Sequence, residues 1–290
     1  ELGNEVWRSE VDRNLGGEVT SRRDYLDLPT TAMHAEWRYL RDAQGRLQYK
    51  IDPDSTHTHY SYDLFDRVTE VRTGVESNGS YGTEYLVSKL IYDGADATSG
   101  EPSPGVGNGR LTHVLVYTGP ADTDIRLTRS YFDFRGRLIA AENALPPHSF
   151  FVYDNQDRIT ASATFASLPS SLSPSSILTT TDRGSYAEQA YSQRGLRYRA
   201  RVKIDPTTVV STPDPSGDFL QSDWWFDGAG RIRATRVPDG PGTKLDLDFY
   251  GRPRKGFLTD NNGDPPPGAS GNHAAALSVS DDHVLEQTVN

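Results

Sequence analysis

The sequence predicts an all-β fold of repeated antiparallel β-hairpins, on three observations: a turn phrase that returns, equal spacing between paired copies, and period-two alternation after each copy. The full phrase is Asp42-Ala-Gln-Gly45-Arg46-Leu47, Asp133-Phe-Arg-Gly136-Arg137-Leu138 and Asp227-Gly-Ala-Gly230-Arg231-Ile232. Weaker copies stand at Asp63-Leu-Phe-Asp66-Arg67-Val68, Asp154-Asn-Gln-Asp157-Arg158-Ile159 and Asp248-Phe-Tyr-Gly251-Arg252-Pro253. Asp42 to Asp63, Asp133 to Asp154 and Asp227 to Asp248 are each 21 residues apart. Two degraded copies, Tyr92-Asp93 reaching Gly109-Arg110-Leu111 across an insertion and Tyr191-Ser-Gln-Arg-Gly195, bring the count to about eight units.

Each position of the phrase has a physical task. Asp at the first position accepts hydrogen bonds from backbone N–H groups inside a type I turn. Gly at the fourth takes φ > 0 at little cost, so a short connection closes with a bulge and returns the chain antiparallel. Asp66 and Asp157 replace that Gly with one of the few other residue types that visit the left-handed region. Leu47, Tyr49 and Ile51 then alternate with polar neighbours, as do Ile159, Ala161 and Ala163, which is the period of a strand. Two strands of about six residues and a turn fill the interval, and a lone hairpin is marginal in water, so the units are expected to pair edge to edge.

The Arg at the fifth position (Arg46, Arg67, Arg137, Arg158, Arg231, Arg252) admits two structural readings: pairing with the turn Asp of a neighbouring unit while stacking on the preceding aromatic ring, or a solvated side chain. Recurrence in register favours the ladder, and the planar guanidinium suits both contacts. An anion site is the functional alternative.

In chain order, residues 1–36 hold strands at Asn4 to Trp7 and Glu18 to Ser21 that continue or dock onto the array. Residues 37–255 are the hairpin array, with polar loop insertions at 94–109, 167–185 and 205–217. Residues 256–290 are a Pro/Gly-rich loop, with an insertion at 260–272, and a C-terminal strand at 284–289 belonging to a next or neighbouring repeat. Neither end shows a cap, and open strand edges invite pairing with another chain. The Ser/Thr/Pro-rich stretch 167–181 reads as a mobile loop, with a glycosylated tract as the other reading.

The bulk numbers exclude several classes. A net charge of −10 with pI near 5.2 lacks the basic footprint that nucleic acid or anionic membranes require. No apolar run is long enough to span a bilayer. Zero Cys removes disulfides, thiolate metal sites and Cys nucleophiles. Mean hydropathy of −0.63 is low for a compact α/β enzyme and suits thin, sheet-based repeats.

Few side-chain groupings suggest chemistry. Asp223 and Asp227 flank Trp224-Trp225-Phe226, but four strand residues separate the carboxylates by roughly 13 Å, beyond the roughly 5–9.5 Å of two-carboxylate glycoside hydrolysis. Adjacent Trp224 and Trp225 face opposite sides of a strand, so one is core while the outward one packs or stacks on a sugar ring. His57 and His59 share a strand face as a metal pair without an evident third ligand. Asp122-Thr-Asp124 offers too few oxygens for calcium. No Ser/His/Asp grouping, phosphate loop or redox motif stands out, so no catalytic residue, cofactor or metal is expected.

The Tyr-Asp-x-x-Gly-Arg-Leu phrase, best seen at Tyr62-Asp63, Tyr131-Phe-Asp133, Tyr153-Asp154 and Trp225-Phe-Asp227, resembles the YD repeat of the Rhs family. That family includes Rhs polymorphic toxins, insecticidal toxin-complex shells and teneurins. Residues 105–112, 263–271 and 284–289 further resemble stretches of the very long, secreted Rhs-repeat proteins of Planctomycetes-like environmental bacteria. The resemblance implies a continuous β-sheet spiral forming a rod or hollow shell. The Asp-Pro-x-Gly autoprotease motif of toxin-type members is matched only in its four letters by Asp214-Pro-Ser-Gly217. Asp218 follows where the family has an apolar residue, and the repeats resume afterwards.

The expectation is therefore a non-enzymatic, extracellular or cell-surface structural protein, a segment or subunit of a β-sheet rod, filament or shell. Its partners are further YD-repeat segments or identical subunits joined through terminal strands. A carbohydrate-binding or adhesion module, with glycans as partners, and a shell segment of an Rhs-type toxin cage are the alternatives.

Overall fold

A computed structural model of the chain describes residues 8–25, 34–77, 79–94, 109–119, 124–179, 182–208, 218–238, 240–260, 278–279 and 282–289. The expected strand at Asn4 to Trp7, most of the 94–109 insertion, Asp122, Asp214-Pro-Ser-Gly217 and residues 261–277 lie outside the described residues. The described residues form twenty β-strands and one helix, α1 (Ser176–Thr179), so the fold is all-β. The chain divides into two units, residues 1–131 and 132–290.

The first unit contains β1 (Arg8–Arg13), β2 (Val19–Tyr25), β3 (His34–Arg41), β4 (Leu47–Ile51), β5 (Thr56–Tyr62), β6 (Val68–Ser77), β7 (Ser80–Tyr81), β8 (Tyr85–Tyr92), β9 (Leu111–Tyr117) and β10 (Ile125–Phe132). Each strand pairs antiparallel with its chain neighbour, except that β7 folds back onto the end of β6 and β8 pairs with β6. The second unit contains β11 (Leu138–Glu142), β12 (His148–Tyr153), β13 (Ile159–Phe165), α1, β14 (Arg183–Tyr191), β15 (Arg197–Lys203), β16 (Phe219–Phe226), β17 (Ile232–Arg236), β18 (Gly242–Leu247), β19 (Pro253–Thr259) and β20 (Val284–Val289). These too form an antiparallel meander from β11 to β20.

The pairing slips by one residue immediately before eight of the turns, at Arg13, Arg41, Tyr62 and Tyr92 in the first unit and at Tyr153, Tyr191, Phe226 and Leu247 in the second. This is the bulge that a three-residue loop with one left-handed residue produces. Because the meander alternates ends, these bulged turns share one edge of each unit, and the short turn at Asp52–Ser55 lies on the other. The longer connections 166–182, 204–218 and 260–283 join strands at the other edge.

Packing differs between the units. In the second, one face alternates small and large residues across strands: Ala140 opposes Phe150, Phe150 opposes Ala163, and Ala163 opposes Tyr186, all buried. Trp225 opposes Ala234 in the same way. The first unit buries Ile51 and Tyr131 beside polar Ser21, His57, Thr112 and His113. A buried aromatic side chain contributes about 1.5–3 kcal/mol, whereas an exposed ion pair contributes about 0–1 kcal/mol. The cohesion of the second unit therefore rests on its aromatic–alanine rows, and the ion pairs along the turn edge chiefly set register.

The turn ladder as the candidate functional site

The six turns that carry the Asp-to-Arg phrase have the same atomic plan. In the turn after β3, Asp42 N–H donates to Arg46 O at 2.9 Å and Gly45 N–H donates to Asp42 O at 3.0 Å. Asp42 Oδ1 accepts from Gln44 N–H at 3.0 Å and Arg46 N–H at 2.9 Å, while Oδ2 accepts from Arg46 Nε at 2.7 Å. The turns at Asp63, Asp133, Asp154, Asp227 and Asp248 repeat both backbone bonds and the Arg Nε to Asp Oδ2 bond, the latter at 2.6–2.7 Å. The fourth residue is left-handed throughout: φ is 84° at Gly45, 75° at Gly136, 83° at Gly230 and 86° at Gly251, and 62° and 63° at Asp66 and Asp157. Glycine at 251 also answers a close approach, since a Cβ there would sit 2.5 Å from Arg231 Nη1.

The Arg then reaches the next hairpin. Arg46 Nη1 donates to Asp66 Oδ1 at 2.7 Å, and its guanidinium lies 4.6 Å from the centre of the Tyr62 ring. Arg137 Nη1 donates to Asp154 O at 2.7 Å and Asp157 Oδ1 at 2.9 Å, over the Tyr153 ring at 4.9 Å. Arg67 covers Tyr92 and reaches Gly109 O, Arg158 covers Tyr191 and reaches Ser192 O, and Arg231 reaches Phe249 O. The first carboxylate partner is thus the Arg's own turn Asp, and the neighbouring hairpin supplies a carbonyl, a ring for Arg46, Arg67, Arg137 and Arg158, and, at 66, 93 and 157, a second carboxylate. The aspartate that replaces glycine does double service, as a left-handed residue and as an acceptor. Tyr62 and Tyr153 complete the stitch, donating from Oη to Leu47 O and Leu138 O.

These bonds tune the turn carboxyls. Partial burial pushes Asp133, Asp154 and Asp227 up, but the backbone N–H and guanidinium bonds of the paired Arg outweigh it and hold each below the ordinary aspartate value.

Two members of the ladder lack the turn Asp: the Asn14 turn, which the repeat phrase does not reveal, and the degraded copy at Ser192. Asn14 builds the same turn between β1 and β2: its Oδ1 accepts from Gly16 and Glu18 N–H at 3.0 Å, and Gly17 has φ 81°. Glu18 stands at the Arg position and pairs instead with Arg41 at 3.3 Å. Ser192 takes the Asp role through Oγ, accepting from Leu196 N–H at 3.2 Å, and Arg194 supplies the forward bond to Gly228 O at 2.7 Å. The detectable signal is an Asn or Ser three residues before a Gly, flanked by alternating strands.

The remaining candidates fall into place as follows. Trp225 is 1% exposed on the buried face and offers no side for stacking; Trp224 faces the other way, half-buried beneath the Arg197 guanidinium at 4.9 Å. Asp223, on the Trp225 face, is fully buried between Arg199 Nε at 2.8 Å and Arg236, while Asp227 is held in its turn. His57 and His59 do share a face, and the third residue they meet is Glu84, at 3.2 Å and 3.0 Å. They meet it as hydrogen-bond partners, and no group among the described residues could hold a metal ion. Burial pushes the Glu84 carboxyl up, and the bonds from His59 and His57 together bring it below its ordinary value. Sequence spacing does not reveal Glu84 as a partner, because it arrives from the strap between β7 and β8. Among the described residues, no helix is long and apolar enough to cross a membrane.

Residues 41–76, which span the Asp42 and Asp63 turns, match the family model described as RHS Repeat. No curated protein matches the chain. Among solved structures, the chain is similar to the crystal structure of TcdB2-TccC3-Cdc42 at 12% identity and TM-score 0.36, covering 87% of this chain and 16% of that one. It is also similar to the Photorhabdus luminescens Tc holotoxin pore at 12% identity and TM-score 0.35, covering 90% of this chain and 16% of that one. The chain thus spans about 16% of the length of these structures.

Proposed function

We propose that the chain is a non-enzymatic structural segment of an extracellular or cell-surface β-sheet wall, extended by further repeats of the same design in the same polypeptide or in an identical copy. It fits a section of a long, secreted YD-repeat protein. The observation that carries this reading is the forward bond of the ladder. Arg137 and Arg158 are roofed by the next hairpin and only 20% and 23% exposed, but Arg252, at the last described turn, is 75% exposed. Arg252 keeps the bond to its own Asp248 and presents the rest of its guanidinium where a following aromatic and carbonyl belong. β20 presents the matching backbone edge: among the described residues it pairs with β19 alone, and all six of its residues are exposed. An unpaired strand edge is a template for another strand.

A variant with a second copy of residues 227–236, a turn and its return strand, appended after Asn290 tests this. Hydrogen exchange should show β20 and the added strand protected together. Sedimentation velocity should show the native chain associating as concentration rises, with Leu285→Pro in β20 reducing the association. An added strand that exchanges freely, together with a native chain whose β20 stays unprotected at every concentration, contradicts the proposal.

A further inference from the structure

A cavity of about 340 Å³ lies in the second unit, between the buried sheet face and the segment that carries α1. Its origin is local. Ala190 on β14 leaves room beside the Tyr186 ring, and Ile177 and Leu178 of α1 roof the space without filling it. The lining is mostly apolar, with a few convergent polar groups, which is the make-up of small-molecule sites.

Charge selects the ligand class. Glu188 has both oxygens engaged, Oε1 by the Tyr186 hydroxyl at 2.7 Å and Oε2 by Arg201 Nε at 3.0 Å. Asp223 is taken by Arg199 and Arg236. Arg183, 2% exposed, lies 4.8 Å from the Tyr186 ring centre and donates to the carbonyls of Ile177 and Pro206 at 2.8 Å, with no carboxylate among its described partners. Two guanidinium groups, Arg199 and Arg201, therefore meet one carboxylate, Glu188, in the lining of one apolar space, and in a medium of low dielectric an excess of positive charge favours an anion. Arg199 uses Nε on Asp223, and its terminal nitrogens make no hydrogen bond to the described residues, which leaves the planar fork that binds a carboxylate in two places.

We propose that this cavity binds a compact apolar monocarboxylate, with its carboxylate on Arg199 and its hydrocarbon body against Tyr186, Ile177 and Leu178. Titration calorimetry of the full chain with 1-naphthylacetate and octanoate, beside 1-naphthylmethylamine and octylamine, tests it. At least one acid should bind saturably and more weakly as salt rises, with its matched amine weaker by about tenfold or more. Ala190→Leu, which fills the floor, should weaken the acid by about tenfold or more. If Ala190→Leu loses the native circular dichroism, Leu178→Trp fills the site from the roof and carries the same expectation. No saturable binding of either acid up to millimolar concentration, amines binding as tightly as acids, or a folded filled variant binding like the native chain overturns the proposal.

Discussion

At the scale of the residue, the fourth and first positions of each turn do different work, and substitutions should separate them. Asp133 accepts Arg135 and Arg137 N–H at 2.9 and 3.0 Å while also binding the Arg137 guanidinium. Asp133→Ala leaves those donors to water, and its expected cost is about 1–2 kcal/mol in chemical denaturation; an unchanged midpoint would show that the side chain does not shape the turn. Gly136 sits at φ 75°, so Gly136→Ala is expected to cost about 1 kcal/mol. Gly136→Asn should cost measurably less, because Asn visits the left-handed region and Asp already does so at 66 and 157. Equal losses for Ala and Asn would point to crowding in place of backbone strain. The turn residues were legible in the sequence because one short chemical task admits few residue types. Asn14 was not, because it does that task with a different side chain, whereas the Ser192 copy showed through Tyr191 and Gly195.

At the scale of the element, the strap between β6 and β8 is held by Glu84 against two histidines on β5, with Tyr49 stacked between His59 and Tyr81 at 4.3 Å from each. Gly74 on β6 makes room for this cluster. A Cβ there would lie 2.7 Å from His57 Cε1 and 3.1 Å from the Thr83 carbonyl, and backbone cannot yield as a flexible side chain does. Gly74→Ala should displace the His57 ring, break its hydrogen bond to Glu84 and cost about 1–3 kcal/mol, read as a shifted His57 side-chain resonance and a lower denaturation midpoint. A native His57 resonance in a variant of native stability would contradict this. Strand existence was legible from alternation, whereas this cluster was not, since segments far apart in sequence bring its members together. The same holds for Asp223: its spacing from Asp227 argued against a glycosidase pair, but nothing in the local phrase revealed Arg199 and Arg236 as its partners.

At the scale of the whole molecule, the turn carboxyls make stability depend on pH with one sign. Each of Asp133, Asp154 and Asp227 has a folded pKa below its ordinary value, so the folded state binds fewer protons than the unfolded chain in the acidic range. Their contribution is complete above the unfolded aspartate value of about 3.9 and is lost as pH falls through the folded values. Thermal unfolding should therefore be nearly constant between about pH 5 and 7 and decline below about pH 4. A melting temperature that holds or rises below that point would refute the assignment of these turns as ionised clamps. What was not legible at this scale is the unequal packing of the units. The repeat phrase is alike in both, while the aromatic–alanine rows depend on which residues face each other across strands.

The ladder makes each hairpin depend on the next, as expected of repeat proteins whose stability sums local and nearest-neighbour contributions. Arg137→Gln with hydrogen exchange measured along the chain examines that dependence most directly. It removes the bonds to Asp133, Asp154 O and Asp157 and the cover over Tyr153. Faster exchange confined to β11, β12 and β13, with β16 to β19 unchanged, is the predicted result. Equal loss of protection across all strands, or no loss anywhere, would contradict a sheet assembled from hairpins that lock one to the next.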